Sequence, residues 1–203
     1  MAYEIEQITN KIILRELYQN GHPNKAVLAG LRNAATMTSQ RAQIVWPLLM
    51  PYLNDQQLSR DGTPTYAETA IYTAIRFYAI HQQGTEASVY GAAGGDKADG
   101  RQFFSALAVM RGNADTRVAL DRRVQPLLAT TNVASVINSL SHLVSILKAN
   151  NRTQKIDYAW LAQDLYNLQL SYEQANRVRL RWGQQYFRAT QANLENEGEK
   201  NHD

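Results

Sequence analysis

Apolar residues recur at spacings of three and four along almost the whole chain, and no stretch alternates with period two between hairpin turns. Ile5, Ile8, Ile12, Ile13 and Leu17 set the pattern, and Ile71, Ile75, Tyr78 and Ala79 repeat it. That spacing lays a stripe along one side of an α-helix, whereas a pleated strand needs every second residue. The expected fold is therefore all-α with no sheet: a helical bundle in two small lobes, about eight to nine helices, joined by short connections.

Breaks in the pattern divide the chain. Asn20-Gly21-His22-Pro23 ends the first segment, and Pro23 suits the first turn of a helix through Leu28 and Leu31. Pro47 and Pro51 fall inside the apolar stretch from Ile44 to Leu53 and predict a kinked or split helix. Thr63 fits an N-cap with Pro64 at the first helical position. Between Gly84 and Gly100 lie five glycines, counting both ends, in the longest irregular segment, read as a lobe boundary or mobile loop. Helices are then expected near 101–111, 115–130, 133–149 and 157–169, with a last one from an N-cap at Ser171 to about Asn193. The division is 1–100 for an N-terminal lobe ending in the glycine-rich loop and 101–193 for a C-terminal lobe. Residues 194–203 are polar and expected to form a disordered tail.

Little in the sequence suggests catalysis. There is no cysteine, so disulfides, thiolate metal sites and cysteine nucleophiles are excluded. The four histidines, His22, His81, His142 and His202, show no metal-ligand spacing. The glycine-rich segment lacks the spacing of a phosphate loop, Asp96 and Asp99 lack the remaining ligands of a calcium loop, and no serine stands in a nucleophile elbow. Asp157 and Asp164 lie near one helix face, but Asp157 suits a helix N-cap and Asp164 suits pairing with a basic neighbour. The expectation is no enzyme, no cofactor and no metal. With no apolar run near the roughly 20 residues of a membrane span and an acidic start unlike a signal peptide, the expected location is cytoplasmic.

Charge is the informative property. Residues 1–100 hold eight basic and nine acidic side chains, residues 101–190 twelve and five, and residues 191–203 one and four. A basic stretch of this size suits a polyanion, because phosphate contacts supply most sequence-independent affinity for nucleic acid. On the last helix Gln174, Arg177, Arg181, Gln184, Arg188 and Gln191 share one stripe that carries no acid. Val178, Trp182 and Tyr186 lie on one flank and Leu180 and Phe187 on the other, so both flanks can pack and leave the ridge outward. Arginine forks suit phosphate oxygens. Arg122 and Arg123 remain locally unpaired if Arg117 pairs with Asp121, and Lys25 and Arg32 lie near one face of the second helix. An acidic protein is the alternative partner for such a ridge, which would make the chain a helical adaptor.

Three stretches carry a more specific signal: Phe77 to Gln83, Arg122 to Thr130, and the run from Ile156 to Tyr166 continuing into Arg177-Val178-Arg179-Leu180-Arg181-Trp182-Gly183 and Tyr186-Phe187. In this order and spacing the chain resembles the CasB family, the small subunit of the type I-E CRISPR Cascade complex, over residues 64–190. Earlier, only Ala29 to Arg32 and Trp46 to Leu49 add to the likeness. The resemblance implies an all-helical, non-catalytic subunit of antiviral defence, present beside a second copy of itself as a homodimer. It also implies contacts with CasA, CasC, CasD and CasE, and basic residues that hold CRISPR RNA with target DNA and guide the displaced strand. Arg32, Arg122, Arg123, Arg177, Arg179 and Arg181 match family arginines, while Arg179 points away from the ridge. Where family members show a second basic cluster this chain has Ser141-His142, and a usual Gly-Arg stretch reads Phe104 to Leu107, which shifts the expected positive track toward Arg101 and Arg111. The expected nucleic-acid-binding set is Lys25, Arg32, Arg101, Arg111, Arg122, Arg123, Arg177, Arg179, Arg181 and Arg188.

Overall fold

The computed structural model describes residues 4–96 and 98–199, with side chains described as far as Arg188. Nine α-helices form among them: α1 (Glu4–Ile12), α2 (Lys25–Asn33), α3 (Trp46–Leu49), α4 (Tyr66–Gln82), α5 (Phe103–Arg111), α6 (Ala114–Ala129), α7 (Val133–Asn150), α8 (Tyr158–Leu170) and α9 (Tyr172–Glu199). A π-helical turn, Ile13–Leu17, prolongs α1, and short 3-10 turns flank α3. The prolines at 47 and 51 do split that region, since each removes a helical donor.

Three local expectations need correction. Asn20 and Gly21 both take positive φ, 51° and 81°. They turn a two-residue antiparallel pair, Tyr18–Gln19 with His22–Pro23, so a small sheet exists where none was expected. Pro23 consequently lies in a strand, and Asn24 caps α2 by accepting from the Val27 amide. Thr65 rather than Thr63 caps α4, in a capping box with buried Glu68. The expected caps Asp157 and Ser171 do accept from the Trp160 and Gln174 amides.

α4 is buried almost all round. Its apolar composition suits it to the centre, where α1, α2, α7 and α8 pack against it. α9 packs on α5 and α8, with the Trp182 ring stacked on Phe104 at 4.6 Å between centroids. One continuous core joins these groups, and α8, which follows residue 100, packs chiefly on α4 and α1, which precede it. α9 runs six residues past its expected end at Asn193; the final part of the expected tail, 200–203, lies outside the described residues.

The glycine-rich segment is pinned rather than loose. Tyr90 and Arg101 both bridge to Ile156, whose amide donates to the Val89 carbonyl. The Ala93 amide donates to the Asp157 carboxylate, and Gln82 holds three backbone groups between Thr85 and Val89. Gly91 and Gly100 pass so closely that a Cβ on Gly100 would collide with the Gly91 carbonyl. Backbone approach accounts for glycine at these two positions.

Candidate nucleic-acid interface

The arginine ridge on α9 is less available than its spacing suggests. Arg181 is bound to the buried Asp164 carboxylate, which also accepts from Trp182 Nε1 at 2.6 Å. Arg177 pairs with Glu173, an acid one turn earlier, at 2.5 Å. Arg179 points away from the ridge, as expected, and is buried. Its guanidinium donates to the Thr130 carbonyl and to Asn176 Oδ1, both at 2.6 Å, tying α9 to the end of α6. Arg188 is exposed and carries no ion pair among the described residues. Of the two flanks only Val178, Trp182 and Tyr186 are buried; Leu180 and Phe187 remain 65% and 38% exposed, although the Phe187 ring meets that of Tyr186 edge-on.

Other expected residues divide in the same way. Arg111 clamps Asp121 through two nitrogens, at 2.7 and 3.2 Å, and lies over the rings of Tyr186 and Phe187. Asp121 is thus held by Arg111 rather than by Arg117, whose guanidinium instead donates to the carbonyls of Arg111 and Gly112. Lys25 pairs with Glu86 at 2.9 Å on the surface. Arg101 is exposed, while its backbone is held beside Ile156. Arg122 and Arg123 are exposed along a groove of about 680 Å³ between α6 and α7, with His142 on its far wall. Of the Ser141-His142 departure, His142 therefore lines the arginine-pair groove, whereas Ser141 faces Arg76.

Arg32 belongs to a cluster that sequence separation concealed. It donates to the Ala79 carbonyl at 3.4 Å, in the last turn of α4. Lys148, from α7, donates to Gln83 Oε1 at 2.7 Å just beyond that turn. Arg152 reaches the next residue, with Nη1 at 3.6 Å from where a Cβ on Gly84 would stand. Burial, then Arg152 and Arg32, push the Lys148 pKa down, so the Lys148 ammonium feels both guanidinium groups. None has an acidic partner among the described residues. The end of a helix offers roughly half a negative charge, which offsets only a part of three cations. The excess positive potential is suited to a multiply charged anion.

The two carboxylates that share a helix face, Asp157 and Asp164, have structural duties. Asp157 accepts from the amides of Ala93 and Trp160, and Asp164 holds Arg181 and Trp182. Among the described residues no group of three potential ligands could hold a metal, and no helix is long and apolar enough to cross a membrane.

Comparison with known proteins gives this arrangement a context. The family model of the CRISPR-associated protein Cse2 matches residues 27–187. The chain belongs to that family. The crystal structure of CasB from Thermobifida fusca is similar in fold, with a TM-score of 0.60 at 23% identity, over 90% of this chain and 94% of that one. No curated relative matches the sequence. The resemblance to CasB read from three stretches between Phe77 and Phe187 thus holds, and membership makes the chain a small-subunit protein of Cascade in CRISPR defence that associates with other Cascade components. Within the family match lie Arg32, Lys148, Arg152 and the Arg122-Arg123 groove; Lys25 and Arg188 fall just outside it.

Proposed function

We propose that the chain acts in Cascade as a non-catalytic scaffold for nucleic-acid backbones. In this reading it steadies CRISPR RNA on target DNA, guides the displaced strand, and does so beside a second copy and against CasA, CasC, CasD and CasE. The observation that carries this reading is the Arg32–Lys148–Arg152 cluster at the end of α4, three cations from two distant parts of the chain with no acidic partner among the described residues. Guide pairing can read sequence while a protein supplies positive charge to backbones and single strands. The exposed cations Arg101, Arg122, Arg123 and Arg188 extend the charge, with Arg177 as a further contact once it leaves Glu173. The division into an N-terminal part, 1–100, and a C-terminal part, 101–193, belongs to this proposal, with the second part carrying the basic excess.

The test neutralises Arg32, Lys148 and Arg152 to glutamine, singly and together, in assembled Cascade, and measures target-DNA affinity across salt. Each lost phosphate contact should lower the slope of log K against log salt by about 0.7 to 0.9. An unchanged affinity and an unchanged slope in the triple variant would overturn the reading.

A further inference from the structure

A second cationic site has a different character. The loop after α2, the first three turns of α4 and the first half of α7 enclose a groove of about 460 Å³. Its walls are mostly apolar, with Met37, Pro64, Ala134 and Ile137 beside the methyl groups of threonines. Among the described residues Arg76 from α4 is the one charged side chain lining it. Its Nη1 reaches Ser141 Oγ at 3.3 Å, while Nε is buried and has no acceptor among the described residues. Burial lowers the Arg76 pKa, and no carboxylate offsets that cost among the groove residues.

A half-buried guanidinium with no carboxylate beside it is expensive, and an anion entering the groove would neutralise its charge at the face that lines the groove. The surroundings decide which anion. A nucleic-acid strand needs a succession of cations or exposed aromatic faces. This groove offers a single cation, and its one aromatic residue, Tyr72, is 2% exposed with its hydroxyl donating to the Ala34 carbonyl. Apolar walls around one half-buried arginine instead match a protein segment with one acidic side chain between apolar neighbours, the arrangement of an arginine-anchored interface pocket. We propose that the groove between α4, α7 and the loop after α2 docks such a segment of a partner protein, its carboxylate bound by Arg76. This site is separate from the proposed nucleic-acid contact and does not depend on it.

The test uses the full chain with ¹⁵N-labelled arginine. Arg76 Nε–H is assigned from its loss in Arg76→Lys, and circular dichroism checks that this variant is folded. The probes are the blocked peptide acetyl-Leu-Glu-Leu-amide, its Gln counterpart, inorganic phosphate and a dT oligonucleotide. The expected result is a saturable shift of the Arg76 signal with the Glu peptide and a response at least tenfold weaker with the Gln peptide. In Arg76→Lys the Glu peptide should no longer shift the remaining arginine signals. Equal response to the Glu and Gln peptides, no response to either, or tighter response to phosphate or the oligonucleotide would overturn the proposal.

Discussion

Asp164 on α8 and Arg181 on α9 form the ion pair that joins these two helices, and the same carboxylate receives the indole N–H of Trp182. Asp164 is 2% exposed, so the pair's strength comes from satisfied hydrogen bonds more than from charge alone. Asp164→Ala leaves a guanidinium and a buried indole donor without their partner. The expected cost is about 2–4 kcal/mol of unfolding free energy, below the range for a fully buried pair because the Arg181 side chain is 36% exposed while the indole donor is buried. Urea denaturation checks it, and a loss below about 1 kcal/mol would mean that the helices are held by their apolar contacts alone.

The pH dependence of stability should show two opposed contributions. Burial pushes Asp164 up to about 6 from 3.8, against the pull of Arg181 and Trp182. Its contribution is fully present below the unfolded value and is lost as pH rises through about 6. Burial pushes His81, whose Nδ1 lies 2.9 Å from the Tyr158 hydroxyl, down to about 4 from 6.5. Its contribution is present above the unfolded value and is lost as pH falls through about 4. Between pH 4 and 6 the two partly cancel. Asp164→Asn removes the first, so its urea midpoint should climb with pH between 4 and 6.5 more steeply than that of the parent chain. Parallel profiles would exclude a raised carboxylate at this position.

Arginines of one family motif should separate by role. Arg179→Ala removes two charge-assisted hydrogen bonds, one to the Thr130 carbonyl that ties α9 to the end of α6 and one to Asn176 within α9, so about 2–3 kcal/mol of stability should be lost. The salt slope of target-DNA binding by assembled Cascade should stay unchanged. Arg122→Ala should do the reverse, since its side chain is exposed and makes no ion pair among the described residues. A salt slope altered by Arg179→Ala would move that residue into the strand-contacting set.

How much could be read from the sequence follows the range of each interaction. Asp157 and Ser171 are legible because a cap acts within three residues. A basic partner for Asp164 is legible in kind, but its identity needs the crossing of α8 and α9, 17 residues apart. Glu173 stands one turn before Arg177, so this pair was within reach of the i,i+4 rule, although Glu173 lies off the ridge itself. Burial of the Val178 flank and exposure of the Leu180 flank depend on which neighbour covers each side, and helical periodicity is the same for both. The Arg32–Lys148–Arg152 cluster joins residues more than a hundred positions apart around the end of α4, and no spacing rule reaches that far. Arg76 is hidden for a related reason: on sequence it is one polar position in an apolar helix.

Gly100 offers the sharpest test that the glycine-rich segment is built into the fold. Its amide donates to the Ala92 carbonyl at 2.9 Å, and the Gly91 backbone fills the space that a side chain would need. Gly94, by contrast, has nothing within 4 Å of where a Cβ would stand and no positive φ. If the loop were loose, alanine at either site would be equally tolerated. In the pinned arrangement Gly100→Ala must push the two strands of the loop apart and strain the bridges at Ile156. It should therefore cost about 1–3 kcal/mol, as overpacking does in a tight core, while Gly94→Ala stays within about 0.5 kcal/mol of the parent. Thermal unfolding of the two variants side by side distinguishes these cases, and equal melting temperatures would count against a structural role for the close approach of Gly91 and Gly100.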